Sequence, residues 1–189
     1  MTERISLPRG VGQGMESRFR FLGHPLHPML IVVPSALFPL LLLLDAVHFF
    51  SGDDAAWRAG FWVAVAGAVA TLAAIVPGVV DMAHIPDGSR AHRTARIHAA
   101  LGTLTLLAYV VAVWVRWGAG TERLLPAAGV DLVGTLLVSA QGWLGAELVY
   151  RHHVGVKTPA EGGDPVTLTG SPRTPSEQAD ARRRRDARP

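Results

Sequence analysis

The segment GHPLHPMLIVVP, residues 23–34, opens the first of four long apolar stretches and decides which kind of fold this chain adopts. A proline disfavours the α region for the residue before it, so the two His-Pro steps predict extended backbone at His24 and His27. Pro28 suits the first helical position, where a backbone N–H is not needed. Residues 29–50 are almost all apolar and, at about 1.5 Å per residue, long enough to cross a hydrocarbon core of roughly 30 Å. Both histidines are therefore expected at a membrane surface.

Composition places the chain among membrane proteins. Of its 189 residues 49% are hydrophobic, which is more than a soluble domain of this length needs. The chain has no cysteine, so a metal ion would need histidine, aspartate, glutamate or methionine ligands. The net charge of +3 does not indicate nucleic-acid binding, because the arginines flank apolar segments or lie in the C-terminal tail. Without a nucleophile–base pair, phosphate loop or HExxH motif, the sequence gives no support to a hydrolase or a kinase, and a non-enzymatic role is favoured.

The apolar stretches predict an all-α membrane protein, a bundle of four transmembrane helices within residues 23–156. The predicted helices cover residues 28–50, 58–81, 94–115 and 127–150. A polar cytoplasmic segment, residues 1–22, precedes the bundle, and the first helix is interpreted as an uncleaved anchor rather than a signal peptide. The last segment, residues 157–189, is rich in proline, glycine and arginine and is expected to be disordered.

The distribution of basic residues predicts the orientation. Four basic residues precede the first helix, three lie between the second and third, and eight follow the fourth, against three on the opposite side. The positive-inside rule therefore predicts that both termini are cytoplasmic and that the chain is a multi-pass protein of a bacterial inner membrane. The arginine run at residues 182–185 is expected to contact anionic lipid head groups.

Residues spaced alternately by four and three place one continuous face on each of the first three helices. The predicted faces are His27, Ile31, Pro34, Phe38, Leu41, Asp45 and His48 on the first, Gly60, Ala64, Gly67, Thr71, Ala74 and Gly78 on the second, and His98, Gly102, Thr105, Tyr109 and Ala112 on the third. The small residues of the second face predict close helix packing. Pro34 and Pro39 predict a kink in the first helix.

This topology brings an ionisable group from every helix to the cytoplasmic end. The candidates are His24, His27, Asp81, His98, Glu147 and His152. Polar groups at membrane depth are costly and become functional candidates when they face the bundle interior. Two imidazoles on facing helices suit haem b, with His24, His27 and His98 as the candidate ligands. Histidines mixed with carboxylates suit a transition-metal ion, with His27, Asp81, His98, Glu147 and His152 as the candidate ligands.

Each candidate also has a structural explanation. A histidine near a membrane surface often only places its ring among head groups, and Asp81 could pair with a nearby arginine such as Arg90. Glu147 has Arg151 four residues on, in the favourable helical order. A second polar set at the opposite end, comprising Asp45, His48, Arg116 and Asp131, could be an ion-paired lock or the exit of a proton path.

Three stretches resemble the bacterial membrane-protein family known as domain of unknown function 2231. They are the opening GHPLHPML with its following proline at 23–34, the Pro-Gly-x-x-Asp end of the second helix at 77–81 with Arg-x-x-x-x-His at 93–98, and GWLGAELVYRHHVGV at 142–156. Ala146 stands where the family more often has glycine. The resemblance covers about residues 22–156 and implies a four-helix inner-membrane domain, sometimes adjacent to redox modules, without an established activity.

Two hypotheses follow. The first is a bundle that binds haem b or a transition-metal ion at its cytoplasmic end, through His27 and His98 or His24, for electron transfer or redox sensing with a membrane redox partner. The second is a non-redox membrane component, either an assembly subunit or a metal or proton transporter, whose polar groups form an interhelical network.

Overall fold

The computed structural model of the chain describes residues 17–22 and 24–156. Residues 1–16 of the predicted polar segment and the whole predicted tail, 157–189, lie outside the described residues. Two short strands, β1 (Arg20–Phe21) and β2 (His24–Pro25), pair antiparallel just before the first helix. Most of the remaining described chain is helical, apart from the connecting turns and residues 151–156 after the last helix.

The first membrane span contains two helices, α1 (Leu26–Leu30) and α2 (Val32–Ser51). Because α1 begins at Leu26, the prediction of extended backbone at His27 is wrong, whereas His24 is extended as predicted. Proline is tolerated in the first turn of a helix, so Pro28 does not prevent His27 from being helical. The helix is interrupted at Ile31. In an unbroken helix the Leu30 carbonyl would accept a hydrogen bond from the N–H of residue 34, but Pro34 has no N–H. Pro39 lies inside α2, which continues past it.

The other three spans are α3 (Asp54–Met82), α4 (Arg90–Arg116) and α5 (Leu124–Tyr150). The Asp53 carboxylate accepts a hydrogen bond from the Ala55 N–H at 2.8 Å and caps α3. The Ser89 hydroxyl oxygen accepts one from the His92 N–H at 3.0 Å and caps α4. Such caps satisfy N–H groups that have no partner inside the helix. A single 3₁₀ turn, Thr121–Arg123, leads into α5.

The helices form a four-membered ring in which α2 packs on α3, α3 on α4, α4 on α5 and α5 on α2. Helices α2 and α4 are therefore diagonal partners, and they run in the same direction because one span separates them. The four spans contain 26 to 30 residues and are apolar enough to cross a membrane. At about 1.5 Å per residue they reach roughly 40 Å, which exceeds the hydrocarbon thickness. This confirms the predicted four-transmembrane-helix bundle.

The helix faces predicted from the sequence point inward. The buried residues include Pro34, Phe38, Leu41, Asp45 and His48 on α2, Gly60, Ala64, Gly67, Thr71 and Ala74 on α3, and Gly102, Thr105, Tyr109 and Ala112 on α4. The opposite faces carry exposed large apolar residues, among them Phe50, Trp62, Val69, Trp114, Leu136 and Trp143. An apolar exterior of this kind is what lipid-facing helices require, so these faces contact the bilayer.

The centre of the bundle is filled by large side chains from the diagonal helices α2 and α4. The Phe38 and Tyr109 rings stack with their centroids 3.8 Å apart, and the Tyr109 hydroxyl donates a hydrogen bond to the Pro34 carbonyl at 2.6 Å. Glycines on the two flanking helices leave room for these rings. A Cβ atom at Gly67 of α3 would collide with the Tyr109 ring, and one at Gly134 of α5 would collide with the Phe38 ring.

Candidate functional site

Two histidines meet across the bundle at the end where the first span begins. The rings of His27 on α1 and His98 on α4 have centroids 5.9 Å apart and planes at 80° to each other. Both side chains are half-buried. We call these two residues the imidazole pair. They belong to diagonal spans, so the two rings approach each other from opposite sides of the bundle.

Each ring of the imidazole pair is held by a backbone carbonyl of a neighbouring helix. His27 Nδ1 lies 2.8 Å from the Ala74 carbonyl oxygen on α3, and His98 Nδ1 lies 3.1 Å from the Gln141 carbonyl oxygen on α5. A carbonyl oxygen only accepts hydrogen bonds, so Nδ1 carries the proton in each ring. In the neutral ring Nε2 then carries the lone pair. No described residue hydrogen-bonds to either Nε2.

Glycines also make room for the imidazole pair. A Cβ atom at Gly78 of α3 would lie 2.9 Å from both Cε1 and Nδ1 of His27. A Cβ atom at Gly145 of α5 would lie 3.4 Å from Cε1 of His98, which is a milder contact. The ring edges therefore pack against helix backbone, and this packing together with the carbonyl hydrogen bonds fixes the orientation of both rings.

A glutamine not selected from the sequence as a site residue lies beside the imidazole pair. The Gln141 side-chain oxygen accepts a hydrogen bond from the Thr105 hydroxyl at 3.3 Å, and a Cβ atom at Gly102 would lie 2.9 Å from its amide nitrogen. The carbonyl of the same residue holds His98. A polar amide side chain inside a membrane span is the signal that could have identified it.

Two other predicted ligands, His24 and Asp81, do not contact the imidazole pair in the structure. His24 is exposed, and its Nδ1 lies 3.1 Å from the Leu22 carbonyl oxygen. The Asp81 carboxylate accepts hydrogen bonds from the Ser17 hydroxyl at 2.7 Å and the Arg18 N–H at 2.9 Å. Asp81 thus ties the segment before the first helix to the end of α3, and no ion pair joins it to Arg90 within the described residues.

Glu147 and His152 lie at the end of α5. The Glu147 carboxylate accepts a hydrogen bond from Arg151 at 3.1 Å, the partner that the sequence indicated. His152 is half-buried, and its backbone N–H donates to the Glu147 carbonyl at 3.3 Å. Within residues 17–22 and 24–156, no three histidine, aspartate or glutamate side chains surround a common point at metal-binding distances. The structure therefore brings together only His27 and His98 of the predicted ligands, and ligand roles for the others stay predictions.

A second polar group occupies the opposite end of the bundle. Arg116 Nη2 donates to both carboxylate oxygens of Asp45, at 2.8 and 2.9 Å, and to Asp131 Oδ2 at 2.6 Å. We call these three residues the ionic cluster. The Trp57 ring lies 5.3 Å from the guanidinium carbon, and a Cβ atom at Gly60 would lie 3.1 Å from Arg116 Nε. Of the four residues that the sequence grouped at this end, Asp45, Arg116 and Asp131 are in contact, whereas the His48 ring contacts the Asp53 carbonyl.

The contacts between the first span and α4 share one register. His27 and His98, Phe38 and Tyr109, and Asp45 and Arg116 are each 71 residues apart. The three pairs form successive layers along the bundle, with imidazoles at one end, aromatic rings between and ions at the other end. Glycines of α3 and α5 leave room for the rings of the first span and of α4, so these rings can meet across the bundle axis.

One of three comparisons with known proteins found a match, and it is to a family of membrane proteins. A family model described as predicted membrane protein (DUF2231) matches residues 23–158. No curated protein and no solved structure matches the chain. The matched residues contain both the imidazole pair and the ionic cluster.

Proposed function

We propose, for a chain that belongs to the family described as predicted membrane protein (DUF2231), that the imidazole pair binds a transition-metal ion within the membrane bundle. The observation that carries the proposal is the fixed orientation of the two rings. A histidine that ligates a metal usually donates its other ring N–H to a carbonyl or carboxylate, which sets the tautomer and the ring angle. His27 and His98 both have this arrangement, with carbonyls of Ala74 and Gln141 as the acceptors.

The separation of the rings supports a single ion between them. Metal–imidazole bonds are about 2.0 Å long, which places the centroids of two ligating rings about 5–6 Å apart. The centroids of His27 and His98 are 5.9 Å apart. With two protein ligands the ion would keep other coordination positions open for water or an external ligand. Copper binds nitrogen ligands most strongly among the divalent first-row ions, so a site with few ligands retains it best.

A haem group fits these surroundings less well than an ion. A macrocycle needs an apolar slot around the iron, whereas the edges of the two rings pack against helix backbone at Gly78 and Gly145. The Gln141 side chain lies beside the imidazole pair and packs over Gly102, so it fills space that a macrocycle would need. We therefore propose an ion as the occupant and treat haem b as an outcome that the experiment must exclude.

The position of the imidazole pair supports a redox role. Copper and iron change oxidation state by one electron, and both rings lie at one end of the bundle, where a membrane redox partner would approach. The proposal includes electron transfer or redox sensing at this end, for which the positive-inside rule predicts the cytoplasmic face of a bacterial inner membrane. The predicted contact of residues 182–185 with anionic lipid stays a prediction.

The experiment is an equilibrium titration of the detergent-purified protein after its metal has been removed with a chelator. CuCl₂ and ZnCl₂ are added separately in competition with a chromophoric chelator, and haemin is added in a third series. We expect one equivalent of Cu²⁺, bound more tightly than Zn²⁺. His27→Asn and His98→Asn should each weaken Cu²⁺ binding roughly tenfold or more.

The matched control is His84→Asn. His84 also places Nδ1 against a carbonyl, that of Val80 at 2.7 Å, but its side chain is exposed and outside the imidazole pair. Cu²⁺ affinity should be unchanged in this variant. A Soret band with haemin that disappears in His98→Asn would identify haem as the occupant. If neither copper nor haemin binds in a way that depends on His27 and His98, the pair is a structural contact and the second hypothesis, a non-redox membrane component, replaces the proposal.

A further inference from the structure

The ionic cluster contains one cation and two acids in a space closed to solvent. The side chains of Arg116 and Asp131 are fully buried, and that of Asp45 is 4% exposed. With both carboxyl groups ionised, the net charge of the cluster would be −1. An uncompensated charge inside a membrane protein is strongly destabilising.

No second cation compensates this charge among the described residues. Helix α2 contributes Asp45 and His48. The His48 Nδ1 contacts the Asp53 carbonyl at 3.0 Å and lies 3.9 Å from the exposed Asp54 carboxylate, and its ring lies against Trp57, with centroids 6.1 Å apart. Helix α3 contributes Trp57 and Gly60, which carry no charge. Helix α4 contributes Arg116 itself and Tyr109, one layer deeper. Helix α5 contributes Asp131, and Arg123 in the turn before it is exposed and donates to the Val115 carbonyl at 3.5 Å.

One carboxylate oxygen of the cluster lacks a hydrogen-bond partner within the part of the chain that the structure describes. Asp131 Oδ1 is buried and accepts no hydrogen bond from the described residues, whereas both oxygens of Asp45 contact the guanidinium. Arg116 Nε is likewise buried and donates no hydrogen bond there. A carboxylate oxygen that lacks a donor in a low-dielectric interior is destabilised, and a buried acid in that position takes up a proton instead.

From this geometry we infer that the ionic cluster is a proton-binding site, with one proton held by the Asp45–Asp131 pair and resident on Asp131. The bound form contains the Arg116 cation, the Asp45 carboxylate and a neutral Asp131 acid, so its net charge is zero. Loss of the proton leaves the cluster at −1. The site is separate from the imidazole pair, and the inference does not depend on metal binding.

The experiment is infrared spectroscopy of the full chain in detergent at neutral pH, in H₂O and in D₂O. Exposed aspartates and glutamates are ionised at this pH, so a carbonyl band of a protonated carboxylic acid can come only from a buried group. We expect such a band in the wild type, with a shift in D₂O. The band should be absent in Asp131→Asn and also in Asp45→Asn, because the single remaining carboxyl group then pairs with Arg116 as a carboxylate.

Folding is checked by size-exclusion elution and thermal unfolding of the same samples. Both single variants keep a neutral cluster and should remain folded, whereas Asp45→Asn/Asp131→Asn leaves Arg116 unpaired and should unfold at a distinctly lower temperature. A wild type without the protonated-acid band overturns the inference, as does a band that persists in both single variants. If the wild type lacks the band and is stabilised by NaCl but not by choline chloride, and Asp131→Asn abolishes that effect, the ligand is Na⁺ rather than a proton.

Discussion

The Phe38 and Tyr109 rings stack at a centroid distance of 3.8 Å, between the imidazole pair and the ionic cluster. This apolar layer divides the polar interior into two groups that share no side chain. Energetic effects at distant sites without shared partners usually add. Changes at one polar group should therefore leave the other intact, which allows each to be tested alone.

Replacing Tyr109 with phenylalanine should lower the free energy of unfolding by about 1 kcal/mol, because the Pro34 carbonyl loses its hydrogen bond while the ring stack is kept. The measurement is thermal or denaturant unfolding in detergent. Tyr150→Phe is the control, since that side chain is 80% exposed. Equal stability of the two variants would show that the hydroxyl contact contributes nothing.

Adding a methyl group at Gly134 should destabilise the bundle by about 1–3 kcal/mol, because a Cβ atom there collides with the Phe38 ring. Gly129 and Gly142 lie on the same helix, and a Cβ atom at either would have no neighbour within 4 Å. Gly129→Ala and Gly142→Ala should therefore be neutral or slightly stabilising. Unfolding temperatures that rank the three alanine variants otherwise would contradict the packing described for this layer.

Replacing Arg116 with glutamine should cost about 3–5 kcal/mol of stability, because it leaves two carboxyl groups buried without a cation. The control is Arg151→Gln, which removes an exposed ion pair with Glu147 and should change stability by less than about 1 kcal/mol. Both variants are compared with the wild type by unfolding in detergent. Similar small losses in both would mean that the ionic cluster does not hold the helices together.

Gly78→Ala should weaken Cu²⁺ binding without removing a ligand. The added Cβ atom would lie 2.9 Å from the His27 ring and displace it from the Ala74 carbonyl. Gly145→Ala places its Cβ atom 3.4 Å from the His98 ring, so its effect should be smaller. A loss of Cu²⁺ affinity of up to roughly 10–100-fold that is larger for Gly78→Ala than for Gly145→Ala would show that the site depends on the orientation of the rings. The reverse order would argue against it.

Asp81→Asn should leave the stoichiometry of Cu²⁺ binding unchanged and loosen the segment before the first helix. The carboxylate accepts hydrogen bonds from Ser17 and Arg18, which an amide satisfies less well. Limited trypsin digestion should therefore cut after Arg18 faster in the variant. If copper binding were lost instead, Asp81 would be a ligand, as the larger predicted set supposed.

Much of the fold could be predicted from the sequence because a helix that crosses a bilayer must be both long and apolar. Four apolar stretches gave four spans, and a four-three spacing identified the inward faces, including Asp45 on α2 and Tyr109 on α4. The start of the first helix was mispredicted, because local proline preferences at His27 are outweighed by a helical turn that accepts Pro28.

The site was less accessible from the sequence. That His27 and His98 share one end of the bundle follows from topology, but their contact depends on α1 and α4 belonging to diagonal spans, which spacing alone does not specify. The roles of Gly78 and Gly145 were also hidden, since a small residue on a membrane helix usually indicates helix packing. Asp81 could not be assigned to the Ser17 segment because that contact joins residues 64 apart.

The most direct test of the imidazole pair as a metal site is pulsed electron paramagnetic resonance of the protein loaded with one equivalent of Cu²⁺. The method detects the remote ring nitrogen of each coordinated imidazole, which here is the Nδ1 atom held by Ala74 or Gln141. We predict two such nitrogens in the wild type and in His84→Asn, and one in His98→Asn. A wild-type spectrum without two imidazole nitrogens, or one unchanged in His98→Asn, would contradict the assignment.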